Sequence, residues 1–270
     1  SGVHWTFSPM LDVSRDARWG RIMEGSGEDP YLISQVAIAK VTGYQGKDLS
    51  DPPTIAACAK HFAGYGFAEA GREYNTVNIG IHEMQNVVLP PFRAAAEAGV
   101  ATFMNAFNDI DGVPATGSVF LQRELLKGEW KWDGFVVSDW ASIAEMVTHG
   151  YATDLKNAAE LAIKAGSDLD MEGNAYENNL ETLVTEGKVD LSLIDDAVKN
   201  RVAQQALRRD HMLAQNALFH SSQPFDGFLG CQIAQVGLEL DSNSAQRFKG
   251  VAEQEIFTFG VHDCPLEIQP

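Results

Sequence analysis

The chain has few cysteines and no long apolar run. Only three cysteines occur among 270 residues. Cys58 lies in an apolar stretch and is predicted to be buried. The sequence does not decide whether Cys231 and Cys264 form a disulfide. No apolar stretch approaches the ~18 residues of a membrane-spanning helix. The sequence also lacks a signal peptide and a glycine-rich phosphate loop after its first predicted strand. We therefore expect no membrane span and no nucleotide-binding fold.

Positive charge is scarce as well. Lys and Arg number 20 against 37 Asp and Glu, so the formal net charge is −17. Nucleic acids and anionic membranes would repel such a chain, and we expect neither as a partner. The balance suits a protein that acts on neutral or cationic small molecules. No histidine pair shares a helix face at a ligand spacing, so we expect no metal and no cofactor.

Strand-like and helix-like segments alternate over most of the chain. This alternation predicts an α/β fold in which helices cover a parallel sheet. The predicted strands are residues 5–13, 54–60, 100–104, 135–137 and 167–171. The predicted helices are residues 30–44, 83–98, 118–127, 142–149, 155–165, 176–186 and 191–212.

The number of strand–helix units sets the fold prediction. A TIM-type (β/α)8 barrel needs eight units, whereas about five are present, so we predict an incomplete barrel. We expect the missing units upstream of Ser1, and an open doubly wound sheet is the alternative. Residues 1–218 are predicted as the partial barrel domain and residues 219–270 as an unassigned C-terminal tail.

Polar groups follow each predicted strand, where α/β barrels carry their catalytic residues. Arg21, Lys60 and His61 supply N–H donors for hydroxyl oxygens. Asp139 follows strand 135–137, and its carboxylate is suited to attack an anomeric carbon or stabilise positive charge there. Aromatic faces stack on the apolar side of a sugar ring. The other candidates on this rim are Asp12, Trp19, Asn105, Phe107, Asn108, Asp109, Trp140, Asp168 and Asp170.

Other roles stay open for these residues. Asp139 alone fits a helix cap, and Lys60 with His61 fits a structural ion pair at a strand end. His61 and Asp139 are available as metal ligands, and Lys60 as the Schiff-base lysine of a lyase. Arg21 and Trp140 nearby fit a sugar ring better than a lyase substrate.

Eight stretches closely resemble the barrel domain of glycoside hydrolase family 3, especially that of bacterial periplasmic β-glucosidases. The resemblance covers residues 3 to about 202. The stretches are 8–16 (SPMLDVSRD), 18–21 (RWGR), 27–31 (GEDPY), 60–66 (KHFAGYG), 71–75 (GREYN), 104–108 (MNAFN), 112–115 (GVPA) and 134–140 (GFVVSDW).

The resemblance implies a role for each candidate. Asp139 matches the nucleophile, which forms a covalent glycosyl-enzyme with retention of configuration. Arg21, Lys60 and His61 match residues that bind sugar hydroxyls in the first subsite. The residues that match the wall of that subsite are Met104, Phe107 and Trp140.

Three departures from the family pattern stand out. Many relatives have a tyrosine at the position of Phe107, so its hydroxyl is absent here. Many relatives also take their acid/base glutamate from a second, sandwich-like domain that is not recognisable in this chain. After Val202 the sequence leaves the family pattern as well.

The resemblance implies a retaining β-glycosidase that hydrolyses β-linked glucosides, as a β-glucosidase. A β-xylosidase of the same family and a non-catalytic sugar-binding fragment or inactive relative are the alternatives. The implied partner is a small-molecule or oligosaccharide β-glucoside. The resemblance does not decide between a monomer and a homo-oligomer. Family members of this type suggest a periplasmic or secreted location.

Overall fold

The computed structural model describes residues 3–51 and 53–200 of the chain. Over these ranges helices surround a parallel sheet, so the predicted α/β class is confirmed. The predicted tail 219–270 and the pair Cys231 and Cys264 lie outside the described residues. The helix predicted over 191–212 is present over residues 191–200, the part that is described.

Three parallel strands form the centre of the sheet. They are β1 (Cys58–Phe62), β2 (Thr102–Asn105) and, after a short hairpin of β3 (Asp109–Ile110) and β4 (Val113–Pro114), β5 (Phe135–Val137). Their order is β1-β2-β5. Every residue of β2 and β5 is buried, as continuous apolar runs in a parallel sheet require.

Two predicted strands are present only as isolated bridges. Residues 5–13 form isolated bridges at Trp5 and Met10, and residues 167–171 form one at Leu169. Further backbone hydrogen bonds join both segments to their neighbours, such as those from the Cys58 N–H to the Ser8 carbonyl and from the Asp168 N–H to the Val136 carbonyl, both at 2.8 Å. In the first segment Pro9 has no N–H to donate, which interrupts the ladder. The prediction of full strands there was wrong, although both segments run parallel to their neighbours.

The start of β1 also differs from the prediction. The strand was predicted over residues 54–60, but it begins at Cys58 and runs to Phe62, so His61 lies inside it together with Lys60. Cys58 is fully buried, as predicted. The side chains of Lys60 and His61 find polar partners within the fold, which lets a strand continue through two polar residues.

The helices agree closely with the predicted pattern. The predicted helix 83–98 is interrupted near Pro90, with helical turns Ile81–Glu83 and Met84–Val88 before it. Within the described ranges no helix is long and apolar enough to cross a bilayer. The helices are α1 (Pro30–Gln45), α2 (Pro90–Glu97), α3 (Phe120–Glu129), α4 (Ser142–Thr148), α5 (Leu155–Ala165) and α6 (Ala175–Thr185).

A buried aromatic cluster anchors the sheet to the helices. Phe103 of β2 packs against Phe62 of β1 and against Trp132, with ring centroids 5.2 and 4.9 Å apart. Gln45, at the end of α1, donates to the Gly99 carbonyl at 2.7 Å and accepts from the Ala101 N–H at 2.8 Å. These contacts fix the sheet whose strand ends carry the polar site.

Candidate active site

Asp139 follows β5 directly and keeps one carboxylate oxygen unbonded. Its Oδ1 accepts a hydrogen bond from the Trp140 N–H at 2.7 Å. Its Oδ2 lies 3.4 Å from Nε2 of His61 and has no hydrogen-bond partner among the described residues. Helix α4 begins after Ala141 without a side-chain cap, so Asp139 is not a helix cap. The geometry leaves Oδ2 available to a ligand.

His61 stands between two carboxylates. The ring is fully buried, and Asp12 Oδ2 accepts from both its backbone N–H at 3.0 Å and its Nδ1 at 2.8 Å. Its Nε2 faces Asp139. Nε2 has no hydrogen-bond partner among the described residues. Asp12 was expected on the rim but without a role, and the structure places it as the group that orients His61.

Arg21 and Lys60 share one carboxylate, that of Glu24. Arg21 donates from Nε and a terminal nitrogen to the two Glu24 oxygens at 2.7 and 2.9 Å. Lys60 Nζ lies 3.9 Å from the same carboxylate. The hydrogen bonds from Arg21 lower the pKa of the Glu24 carboxyl, which keeps it ionised. Glu24 was not predicted, although its i,i+3 spacing from Arg21 was a usable signal.

Lys60 and His61 each have an acidic partner, but they do not pair with each other. The alternative role of these two residues in structural ion pairs is therefore correct in part. Glu24 is the partner of Lys60, and Asp12 is the partner of His61. A Schiff-base lysine is usually activated in an apolar pocket or beside another cation, and Lys60 instead lies beside a carboxylate. The described residues include no group of three or more His, Cys, Asp or Glu side chains that could hold a metal ion.

Aromatic side chains form one wall beside these groups. Phe107 is nearly buried and meets Tyr74 edge-on at a centroid distance of 4.6 Å. Tyr65 hydrogen-bonds to Glu73, and its ring lies 5.5 Å from the Arg21 guanidinium carbon. Burial and the Glu73 hydrogen bond both raise the pKa of Tyr65, so its phenol stays neutral.

The other predicted wall residues differ in exposure. Trp140 is 61% exposed, so its ring is accessible to a ligand. Met104 is buried in a cluster with Val137 and Phe135, and it is in register with Val137, the last residue of β5. Trp19 is 1% exposed and packs edge-on against Tyr65, so the expectation that its face meets a sugar was wrong.

The last predicted strand contributes structural carboxylates. Asp168 accepts from Lys127 Nζ at 2.9 Å and from the Val136 N–H at 2.8 Å. Asp170 accepts from the first backbone N–H groups of α6. Burial raises the pKa of Asp168, and Lys127 offsets part of that rise. The Asp168 carboxylate is engaged within the fold, which corrects the prediction that it faces a common pocket, whereas Asp170 Oδ1 is buried without a hydrogen-bond partner among the described residues.

Comparison with known proteins shows the family of this chain. Residues 1–204 match the family model of the Glycosyl hydrolase family 3 N terminal domain. The chain belongs to glycoside hydrolase family 3. A periplasmic β-glucosidase of Salmonella typhimurium is 41% identical over 199 residues, which are 74% of this chain and 26% of that protein. A β-xylosidase of Formosa agariphila is 39% identical over 175 residues, which are 63% of this chain and 24% of that protein.

Solved family 3 structures share the fold. A β-glucosidase from Listeria innocua in complex with glucose matches with a TM-score of 0.75 and 46% identity, over 79% of this chain and 30% of that one. An aspartate-to-alanine mutant of that enzyme with laminaribiose matches with a TM-score of 0.75 and 40% identity, over 92% and 33%. The chain thus spans about a third or less of these relatives.

Proposed function

We propose that this chain carries the sugar-binding and nucleophilic part of a retaining β-glycosidase that acts on β-linked glucosides. The observation that supports this most is the Asp139 carboxylate, with its unbonded Oδ2 beside a buried histidine. Relatives named β-glucosidases and β-xylosidases support the same reaction class.

The proposed reaction has two displacements at the anomeric carbon. Asp139 Oδ2 bonds to C1 as the bond from C1 to the leaving oxygen breaks, and an acid protonates that oxygen. Water then attacks C1, loses a proton to a base and releases the Asp139 carboxylate. Many relatives take their acid/base from a second domain, and we assign no residue of this chain to that role.

The surrounding side chains have separate tasks in this proposal. Arg21, Lys60 and His61 donate hydrogen bonds to sugar hydroxyls. The exposed Trp140 ring stacks on the apolar face of the sugar, and Phe107 lines the opposite wall. Trp140, Phe107 and Met104 are proposed wall residues on the strength of the family resemblance.

Several properties of the whole protein belong to the proposal. We propose a TIM-type barrel with about five units in this chain, residues 1–218 as its domain and residues 219–270 as a separate tail. The Salmonella relative is named periplasmic, which supports a periplasmic or secreted location. The proposed partner is a small-molecule or oligosaccharide β-glucoside. A homo-oligomer is an alternative to a monomer.

Azide rescue tests the nucleophile. Asp139→Gly is expected to lose hydrolysis of 2,4-dinitrophenyl β-glucoside by several orders of magnitude, because no carboxylate remains to attack C1. Sodium azide should restore turnover and give the α-glucosyl azide, since azide enters from the face that Asp139 occupied. The matched control is Asp133→Gly, at an exposed loop position before β5. Unchanged activity of Asp139→Gly, or a β-azide product, contradicts the assignment.

β-Xylosidase activity is the second candidate, favoured by the Formosa relative. The values of kcat/KM on p-nitrophenyl β-glucoside and β-xyloside decide between them, and a xyloside preference reassigns the substrate. We expect the chain to be slow on natural glycosides and faster on activated aryl glycosides, whose leaving groups need little protonation. A chain that binds glucose but turns over neither aryl glycoside is the non-catalytic alternative.

A further inference from the structure

Tyr65 lies between three side chains of the proposed sugar site. Its ring is fully buried and stands edge-on to the His61 ring, with centroids 5.2 Å apart and an interplanar angle of 80°. The guanidinium carbon of Arg21 lies 5.5 Å from the centroid of the Tyr65 ring, within the range of a cation–π contact. The Phe107 ring lies 5.7 Å away. One buried aromatic side chain therefore borders three groups of the site, although the proposed reaction gives it no task.

The backbone of Tyr65 has little room to move. Tyr65 begins the turn that follows β1. A Cβ at Gly66, the next residue, would lie 2.2 Å from the Val13 carbonyl oxygen, so the two backbones are in close contact there. Trp19 packs edge-on against the Tyr65 ring, with centroids 5.3 Å apart. These contacts fix where the ring enters the site and leave its phenol end to be held by another group.

Glu73 holds the phenol end. The Tyr65 hydroxyl donates to Oε2 of Glu73, while Oε1 is buried with no hydrogen-bond partner among the described residues. An unpaired buried carboxylate oxygen costs free energy, which calls for an explanation beyond fold stability. Glu73 follows a turn at Gly71, where φ is +67° and an added Cβ would lie 2.7 Å from the backbone nitrogen of Trp19. The Gly71 turn therefore packs against the segment that carries Arg21.

His61 and Arg21 differ in how they are held. Asp12 accepts hydrogen bonds from both the backbone and the ring of His61, which fixes that residue without Tyr65. Arg21 pairs with Glu24, whose side chain is 39% exposed, and an ion pair with an exposed carboxylate orients a long side chain only weakly. The Tyr65 ring is thus the buried surface against which the Arg21 guanidinium rests.

We propose that Glu73 and Tyr65 position Arg21 for sugar binding. Glu73 fixes the phenol, and the fixed ring holds the guanidinium plane toward a sugar hydroxyl. The proposal rests on the proposed role of Arg21 as a hydroxyl donor. A guanidinium donates in a rigid planar fork, so a small rotation of its plane misdirects its hydrogen bonds. Glu73 and Tyr65 act through Arg21, and both are positioning residues.

A double-mutant cycle on glucose binding tests this role. Calorimetry gives the glucose Kd of the full chain, of Tyr65→Phe, of Arg21→Lys and of the double variant. Tyr65→Phe keeps the ring and removes its bond to Glu73, so we expect the Kd to rise about threefold to tenfold. In the Arg21→Lys background the same change should raise the Kd by less than about twofold, because the guanidinium that it positions is already gone.

Variants of Glu73 repeat the test without altering the core. Glu73→Ala removes the acceptor and should match Tyr65→Phe in both backgrounds, whereas Glu73→Gln keeps an acceptor oxygen and should retain most of the affinity. The matched control is Tyr176→Phe on α6, which loses a phenol hydrogen bond of 2.6 Å to the Ser167 carbonyl and should leave the Kd unchanged. Glu73→Ala with an unchanged Kd, or losses that are equal in both Arg21 backgrounds, overturn the inference. An unaltered chain that binds no glucose instead overturns the proposed function.

Discussion

Removing the carboxylate of Asp12 should destabilise the fold through His61. One oxygen of Asp12 accepts two hydrogen bonds from the fully buried His61, at 3.0 and 2.8 Å. Asp12→Ala leaves both donors without an acceptor in a site from which water is excluded. A hydrogen bond to a charged group contributes about 1.5–3 kcal/mol, so we expect a loss of about 3–5 kcal/mol in the free energy of unfolding.

Asp12→Asn separates the lost charge from the lost acceptor. Its amide oxygen still accepts a hydrogen bond, and neutral hydrogen bonds are about half as strong as charge-assisted ones. We therefore expect a smaller loss of about 1–2 kcal/mol for Asp12→Asn. Asp133→Ala, at an exposed position, serves as the surface control and should change stability by less than about 0.5 kcal/mol.

Urea unfolding measures these differences. Tryptophan fluorescence is a suitable signal because Trp19 and Trp132 are buried in the same core. The midpoint should shift with an unchanged slope, since the surface exposed on unfolding stays similar. A loss below about 1 kcal/mol for Asp12→Ala, or equal losses for Ala and Asn, refutes the account of His61 held by a charged acceptor.

Three further changes test the site. Arg21→Lys cannot reproduce the two-point contact with Glu24, so the glucose Kd from calorimetry should rise about tenfold; an unchanged Kd contradicts this role. Phe107→Ala should cost about 3–5 kcal/mol in unfolding free energy, and a loss under about 1 kcal/mol shows that the wall collapses around it. Burial and then the negative charge of Asp139 raise the pKa of Glu145 to about 7 in the fold against 4.5 unfolded, so the stability it contributes is complete below pH 4.5 and lost as pH rises through 7. Glu145→Gln should therefore gain stability relative to the unaltered chain at pH 8 but not at pH 4, and the same difference at both pH values contradicts this.

The strands that sequence reasoning placed correctly are those buried on both faces. Thr102–Asn105 and Phe135–Val137 read as strands because burial demands apolar residues along the whole run. Residues 5–13 read as a strand for the same reason, but Pro9 prevents a regular ladder there. The end of β1 was placed too early because Lys60 looked like a strand end, and its partner comes from a distant turn.

The site was predictable in its residue types more than in its contacts. Sequence position placed His61 and Asp139 near the ends of β1 and β5, the two strands that flank β2, and their side chains lie 3.4 Å apart. The contact of Glu24 with Lys60 joins two distant segments, which pattern does not encode, whereas its i,i+3 spacing from Arg21 is a local signal. Trp19 was misplaced because a tryptophan beside two arginines resembles a ligand wall, whereas its ring packs in the core.

The most direct test of the central claim is the location of a covalent sugar adduct. The chain is incubated with the 2-fluoro glucoside, digested and mapped by tandem mass spectrometry. The account predicts one adduct, on the carboxyl of Asp139, that is absent from Asp139→Asn. A folded chain that binds glucose yet takes up no label, or that carries the label on another residue, contradicts it.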